Sequence, residues 1–225
     1  MKKMVSLVLV LCILVLTSHA FSQEFISIGL KGGFSMPGVI GLESMQSDFK
    51  AGYAAGGYIN YKINDNLSIQ QEFYYIAKGF KAEYETMSSV SDDEYLNISA
   101  TIDQTLNYAE LPLLFVCSLS ENFKIIEGGY MDLFLNGTYD NETTTTTNIK
   151  EAGEWISSTA TESTSGDVES GEMNAPGWGL IVGIEYDMGK INFGARYSIG
   201  LNNVIKDNTN MYRHNAYQLL VGYSF

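Results

Sequence analysis

Bond-making chemistry needs a positioned nucleophile, a base or a set of metal ligands, and this chain is poor in all three. It has two histidines, His19 and His214, and two cysteines, Cys12 and Cys117. His214, Ser198 and Glu185 are the residue types of a Ser–His acyl-transfer site, but nothing in their spacing brings them within hydrogen-bond reach. A lone loop histidine reads as solvated, so no catalytic residue is assigned. One histidine and one cysteine downstream of residue 20 do not make a metal site. No glycine-rich phosphate loop leads from a strand into a helix, so no cofactor is expected. Cys117, on an apolar strand, reads as a small hydrophobe.

The charged residues are more informative. Arg196 and Glu72 fall on strand faces opposite the apolar ones, as do Lys78, Glu110 and Glu185. Charges on an enclosed face need partners, so these five are expected to form one network. Two roles are open: a salt-bridged plug holding the core together, which is preferred, or a gate that rearranges to open a pore.

The elements that would position them are strands. In residues 215–225, Tyr217, Leu219, Val221, Tyr223 and Phe225 share one face. Ala216, Gln218, Leu220, Gly222 and Ser224 share the other, a two-residue period. Residues 25–34, 51–63, 67–78, 105–119, 176–186 and 191–200 repeat the pattern, with Gln71 and Ile76 on the wrong faces. Pro112, which cannot donate to a ladder, suggests a bulge. Residues 123–136 form a further strand whose faces stay unassigned, because parity blurs around Glu127 and Gly128-Gly129. The total is eight.

Short turns near 64–66, 120–122 and 187–190 alternate with longer connections at 35–50, 79–104, 137–173 and 201–214. The connection at 137–173, with five consecutive threonines and many acids, reads as polar and mobile. The expected fold is an all-β, eight-stranded antiparallel up-and-down transmembrane β-barrel. Strands of about ten residues suit a tilted crossing, and an even number closes without edges. A soluble lipocalin-like carrier is the alternative. Its apolar cavity would not accept Lys31, Asn60, Lys62, Gln70, Asn192, Arg196 and Gln218. Trp178, Tyr197, Tyr217 and Tyr223 are expected at the lipid interface.

Lys2 and Lys3, an apolar run and Ser18-His19-Ala20 read as a signal peptide over residues 1–20, cut after Ala20 or alternatively after Gln23. Residues 21–225 would then be the barrel domain, with both ends periplasmic. Of 13 Lys and Arg against 26 Asp and Glu, removal of two lysines leaves 11 against 26, a net of −15. That balance argues against nucleic acid as a partner. Asp92, Asp93 and Glu94, with the acids of 142–172, either bridge divalent ions to lipopolysaccharide, meet a basic envelope partner, or serve solubility alone.

Several stretches together resemble the outer-membrane β-barrel domain common in Bacteroidetes, often labelled PorT-like. They are Gly-x-Lys-Gly-Gly at 29–33, Leu-Ser-Ile-Gln-Gln-Glu-Phe-Tyr-Tyr from 67, and Lys78-Gly79. Further on are Leu-Asn-Tyr-Ala-Glu-Leu-Pro-Leu-Leu at 106–114, Gly-Gly-Tyr at 128–130, Arg-Tyr-Ser-Ile-Gly-Leu from 196 and the terminal Gly-Tyr-Ser-Phe. The resemblance implies an eight-stranded barrel in the outer membrane of a Gram-negative bacterium, embedded in membrane lipid. It also implies recognition of Phe225 by the barrel-assembly machinery. One member is linked to protein secretion and gliding, so a place in a transport or secretion assembly is the alternative to a structural or surface-interaction role. The threonine-rich stretch has no counterpart in that resemblance.

Overall fold

Side chains that alternate between apolar and polar send one set to each side of a sheet, and here every wall strand does so. The computed structural model describes residues 25–41, 46–174, 176–206 and 212–225. The expected signal segment, with both candidate cut sites, lies outside them, as do positions 42–45 and 207–211 of the expected connections. The described residues form strands β1 (Ile26–Ile40), β2 (Gln46–Phe49), β3 (Gly52–Asn64), β4 (Leu67–Ser91) and β5 (Glu94–Ser118). Then follow β6 (Phe123–Glu151), β7 (Glu154–Asp167), β8 (Gly177–Met188), β9 (Ile191–Gly200) and β10 (Arg213–Ser224).

Eight of these close on themselves as β1-β3-β4-β5-β6-β8-β9-β10, all antiparallel, with β10 pairing back to β1 from Gly29↔Ser224 to Ile40↔Arg213. The result is the expected up-and-down barrel. β2 adds to the edge of β4 and β7 to that of β6. At one end the strands join by tight turns. Asn64 Oδ1 accepts the Asn66 N–H at 2.9 Å, Ser120 Oγ accepts the Phe123 N–H at 3.1 Å, and Gly189 supplies a φ of 64°. In the first turn the Lys62 ammonium, 2.8 Å from Asp65 Oδ1, holds that carboxyl below its ordinary range through a hydrogen bond.

The wall is apolar outside. On β8, Trp178, Leu180, Val182, Ile184 and Tyr186 are all about half exposed, and so are Tyr217, Leu219, Val221 and Tyr223 on β10 and Phe225 just after it. The axis holds buried polar groups interleaved with two apolar clusters. Leu114, Val116, Ile126, Tyr130 and Ile181 pack toward the tight-turn end. Ala54, Tyr74, Ile76, Leu106, Tyr108, Val168, Met173 and Leu220 pack toward the other. Ile76 therefore belongs inside, in the second of these clusters.

Several expectations are corrected. Residues 79–104 are not an irregular connection: β4 and β5 continue as a hairpin to a turn at Asp92-Asp93. Residues 137–173 hold the end of β6 and the whole of β7, followed by a 3-10 turn at Ser170–Glu172. Threonine, β-branched and stiff at χ1, suits a strand whichever way it faces. Thr144 pairs with Thr161, and Thr146 with Thr159, each hydroxyl pair 3.1 Å apart. A segment too polar to fold alone is held by strand pairing, its first half to β5 and its second half back onto the first. Within 35–50, β1 runs on to Ile40 and β2 follows. Within 201–214, β10 begins at Arg213, which takes His214 out of the expected loop.

Pro112 makes no bulge, since the β4–β5 register is unchanged across it, from Gln71↔Leu113 to Tyr74↔Glu110. Between β5 and β6 the bulge is at Leu135, where β6 gains one residue between Asn107↔Asn136 and Tyr108↔Phe134. Gln71 explains the gap at the proline. Although outward, its amide donates to the Pro112 carbonyl at 2.9 Å and to the Glu72 carbonyl at 3.0 Å. β6 also acquires its faces: Ile126, Tyr130 and Asp132 point in, while Ile125, Glu127, Met131 and Leu133 point out.

Candidate functional site

Six wall strands aim seven buried Lys, Arg, Asp and Glu side chains at the axis. Lys31 comes from β1, Glu72 and Lys78 from β4, Glu110 from β5, Asp132 from β6, Glu185 from β8 and Arg196 from β9. None is more than 5% exposed. Three cations are met by four carboxylates. Arg196 Nη1 pairs with Glu72 Oε2, its Nε donates to Gln218, and its Nη2 lies 4.0 Å from Glu110 Oε1. Lys31 Nζ donates to Glu72 Oε1 at 3.2 Å and pairs with Glu185. Lys78 Nζ donates to Asp132 Oδ2 at 2.7 Å and lies 2.7 Å from Glu110 Oε2.

Aromatic faces close the remaining sides. The Arg196 guanidinium lies 4.9 Å from the Tyr74 centroid, Lys78 4.5 Å from that of Tyr130, and Lys31 4.8 Å from that of Tyr58. Each cation has lost its water, and charge-assisted hydrogen bonds with ring contacts replace it. The belt thus brings together Arg196, Glu72, Lys78, Glu110 and Glu185. Lys31 and Asp132 complete it. Lys31 was legible as an interior position but not as a member of the network. Asp132 lies on the strand whose parity Glu127 obscures.

His214 is not solvated. It is buried on β10, with Nε2 3.3 Å from the Tyr108 hydroxyl and the two rings edge to face at 5.7 Å. Ser198 is buried on β9, opposite Ala216 and Ile181. Glu185 is engaged with Lys31, and no hydrogen bond joins the three residues of the acyl-transfer pattern to one another. Tyr108, Tyr130, Asp132 and His214 border a void of about 10 Å³, room for about one water.

The interface aromatics lie on the outer wall. Tyr197 and Tyr217 face each other across β9 and β10 with centroids 4.8 Å apart, and Phe49 meets Tyr217 edge-on at 5.4 Å. Trp178 is about half exposed. At the tight-turn end Tyr223 packs on Phe225 at 5.6 Å, and the Phe225 N–H donates to the Ile28 carbonyl at 3.0 Å.

The second region of interest is the sheet beyond the barrel rim, where β4, β5, β6 and β7 run on side by side. One face carries cross-strand rows such as Glu83, Thr101, Glu142, Ser163 and Glu85, Ser99, Thr144, Thr161. Residues 79–104 contain six acids and one lysine, and residues 137–173 contain eight and one.

Comparison with solved structures returns other small barrels. The attachment invasion locus protein Ail of Yersinia pestis is 12% identical, with 90% of this chain and 100% of that one covered, at a TM-score of 0.43. Neisserial surface protein A is 13% identical, with 90% and 100% covered, at 0.41. OprG of Pseudomonas aeruginosa is 12% identical, with 88% and 95% covered, at 0.35. No curated protein sequence matches the chain. A family model does match, over residues 21–206, and the buried polar axis inside an apolar wall is the arrangement expected of a barrel in lipid. The chain belongs to the outer membrane protein β-barrel domain family, which places it in the bacterial outer membrane.

Proposed function

We propose that this protein is a non-conducting barrel whose work is done at the cell surface by the sheet beyond its rim. The observation that carries this is the filled axis. An eight-stranded barrel leaves just enough room for side chains, and here the charge belt and two apolar clusters occupy it. The long-strand end faces outward and the tight turns, with both termini, face the periplasm. The engagement of His214 with Tyr108 supports a non-enzymatic reading. Phe225 serves as the assembly signal, and its deletion should reduce the yield of folded barrel.

Fourteen acids against two lysines in the extended segments favour a basic partner, or lipopolysaccharide bridged by divalent ions. The Val168 N–H donates to the Gly137 carbonyl at 2.9 Å, so residues 138–167 can be excised and the ends joined. The shortened barrel should insert normally and lose surface binding by about tenfold or more. Unchanged binding contradicts this reading. A secretion defect with binding intact favours the PorT-like role in a transport assembly instead.

A further inference from the structure

Glu127 is the residue the fold leaves unexplained. Its neighbour Ile126 is buried at the axis, and its own side chain is exposed on the outer wall. In register it is flanked by Phe115 on β5 and Val182 on β8. On β8 the outward residues Trp178 and Leu180 lie to one side of Val182, and Ile184, Tyr186 and Met188 to the other. On β5, Leu111 and Leu113 lie to one side of Phe115, and Cys117, followed just past the strand by Leu119, to the other. The carboxylate therefore stands within the apolar band and not at its rim. No hydrogen bond or ion pair joins it to any described residue. The row running through it reads Ile69, Phe115, Glu127, Val182, Tyr197, Tyr217, with no cation.

An ionisable group at this depth is costly to keep and marks a contact by default. Gln71, the other polar interruption of this wall, is satisfied by backbone carbonyls, and Glu127 is not. The next outward position on β6 supplies the second observation. A Cβ at Gly128 would meet the Leu113 carbonyl oxygen at 2.1 Å, so the wall demands that glycine. A Cβ at Gly129 would meet only the Gly179 carbonyl oxygen, at an ordinary 3.4 Å. Nothing in the barrel requires Gly129 to lack a side chain. What it leaves is an open notch between Leu113 and Leu180, directly beside the carboxylate.

We propose that this wall is a lateral docking face for a different membrane-embedded protein, which inserts a lysine or arginine into the notch to pair with Glu127. In a low-dielectric surround such a pair is strong, and its two desolvated charges need each other. A second copy of this chain offers no cation along the same row. The inference is independent of the surface sheet, which lies beyond the rim.

The test is photo-cross-linking in the producing bacterium, with p-benzoylphenylalanine in place of Ile125, the outward residue on the other side of Glu127. The expected result is one adduct whose joined peptide carries a Lys or Arg within an apolar run. It should fall about tenfold or more in E127Q and E127L. Both variants should still give a folded barrel, and E127L should melt no lower than the parent, since a charge leaves the lipid face. Replacing the partner's basic residue with leucine should abolish the adduct equally. An adduct with a second copy of the same chain, an adduct unchanged in E127Q, or no adduct at all overturns the proposal.

Discussion

At the scale of single residues, the protein depends on pairing charges where water cannot reach them. Arg196 is the hinge of the belt, because it touches Glu72, Glu110 and Gln218 together. Replacing it with leucine leaves Glu72 only Lys31 and Gln70. Removing one member of a buried pair costs about 3–5 kcal/mol, so Arg196→Leu should lower the unfolding midpoint clearly. Adding Glu72→Leu should recover part of the loss, since an apolar replacement for both partners is often near neutral. Neither variant should conduct ions in a planar bilayer. A large, stable conductance in Arg196→Leu would favour the gate. Parity alone exposed Arg196, Glu72, Lys78, Glu110 and Glu185 as inward residues. It missed Asp132 because a charge on the outside of the same strand, Glu127, mimics an inward position. It missed the burial of His214 because a polar run before it resembles loop.

At the scale of elements, strand and turn chemistry were legible where the two faces differ in polarity. β8, β9 and β10 alternate cleanly, and the tight turns carry Asn, Asp, Ser and Gly. Where both faces are polar the alternation vanishes, and the ends of β4 to β7 read as loop. Order there comes from edge pairing and from β-branched threonines, which periodicity does not register. Inside the wall, close strand approach depends on glycine at Gly56, where a Cβ would lie 1.8 Å from the Phe73 carbonyl oxygen. Gly56→Ala should therefore push β3 from β4 and destabilise the barrel by about 1–3 kcal/mol, in the range of overpacked cores. Urea unfolding in detergent or lipid checks this, and a midpoint equal to the parent's would contradict the assigned contact.

At the scale of the whole molecule, sequence and structure agree because one constraint governs both. In lipid every backbone group must bond within the protein, and a closed ring of strands does so without long apolar runs. Mean hydropathy is accordingly only −0.02, with apolar residues spread over alternate positions. What the outer surface binds is less legible, since a recognition surface needs no periodicity. The most direct test is a spin-label scan of single cysteines at positions 178, 180, 181, 182, 184 and 186 on a Cys117→Ser background in lipid vesicles, reading collisions with oxygen and with an aqueous nickel complex. Positions 178, 180, 182, 184 and 186 should collide with oxygen and, away from the rims, not with nickel, while 181 should be shielded from both. High nickel accessibility at 180, 182 and 184 would contradict the account, because those side chains would then face water.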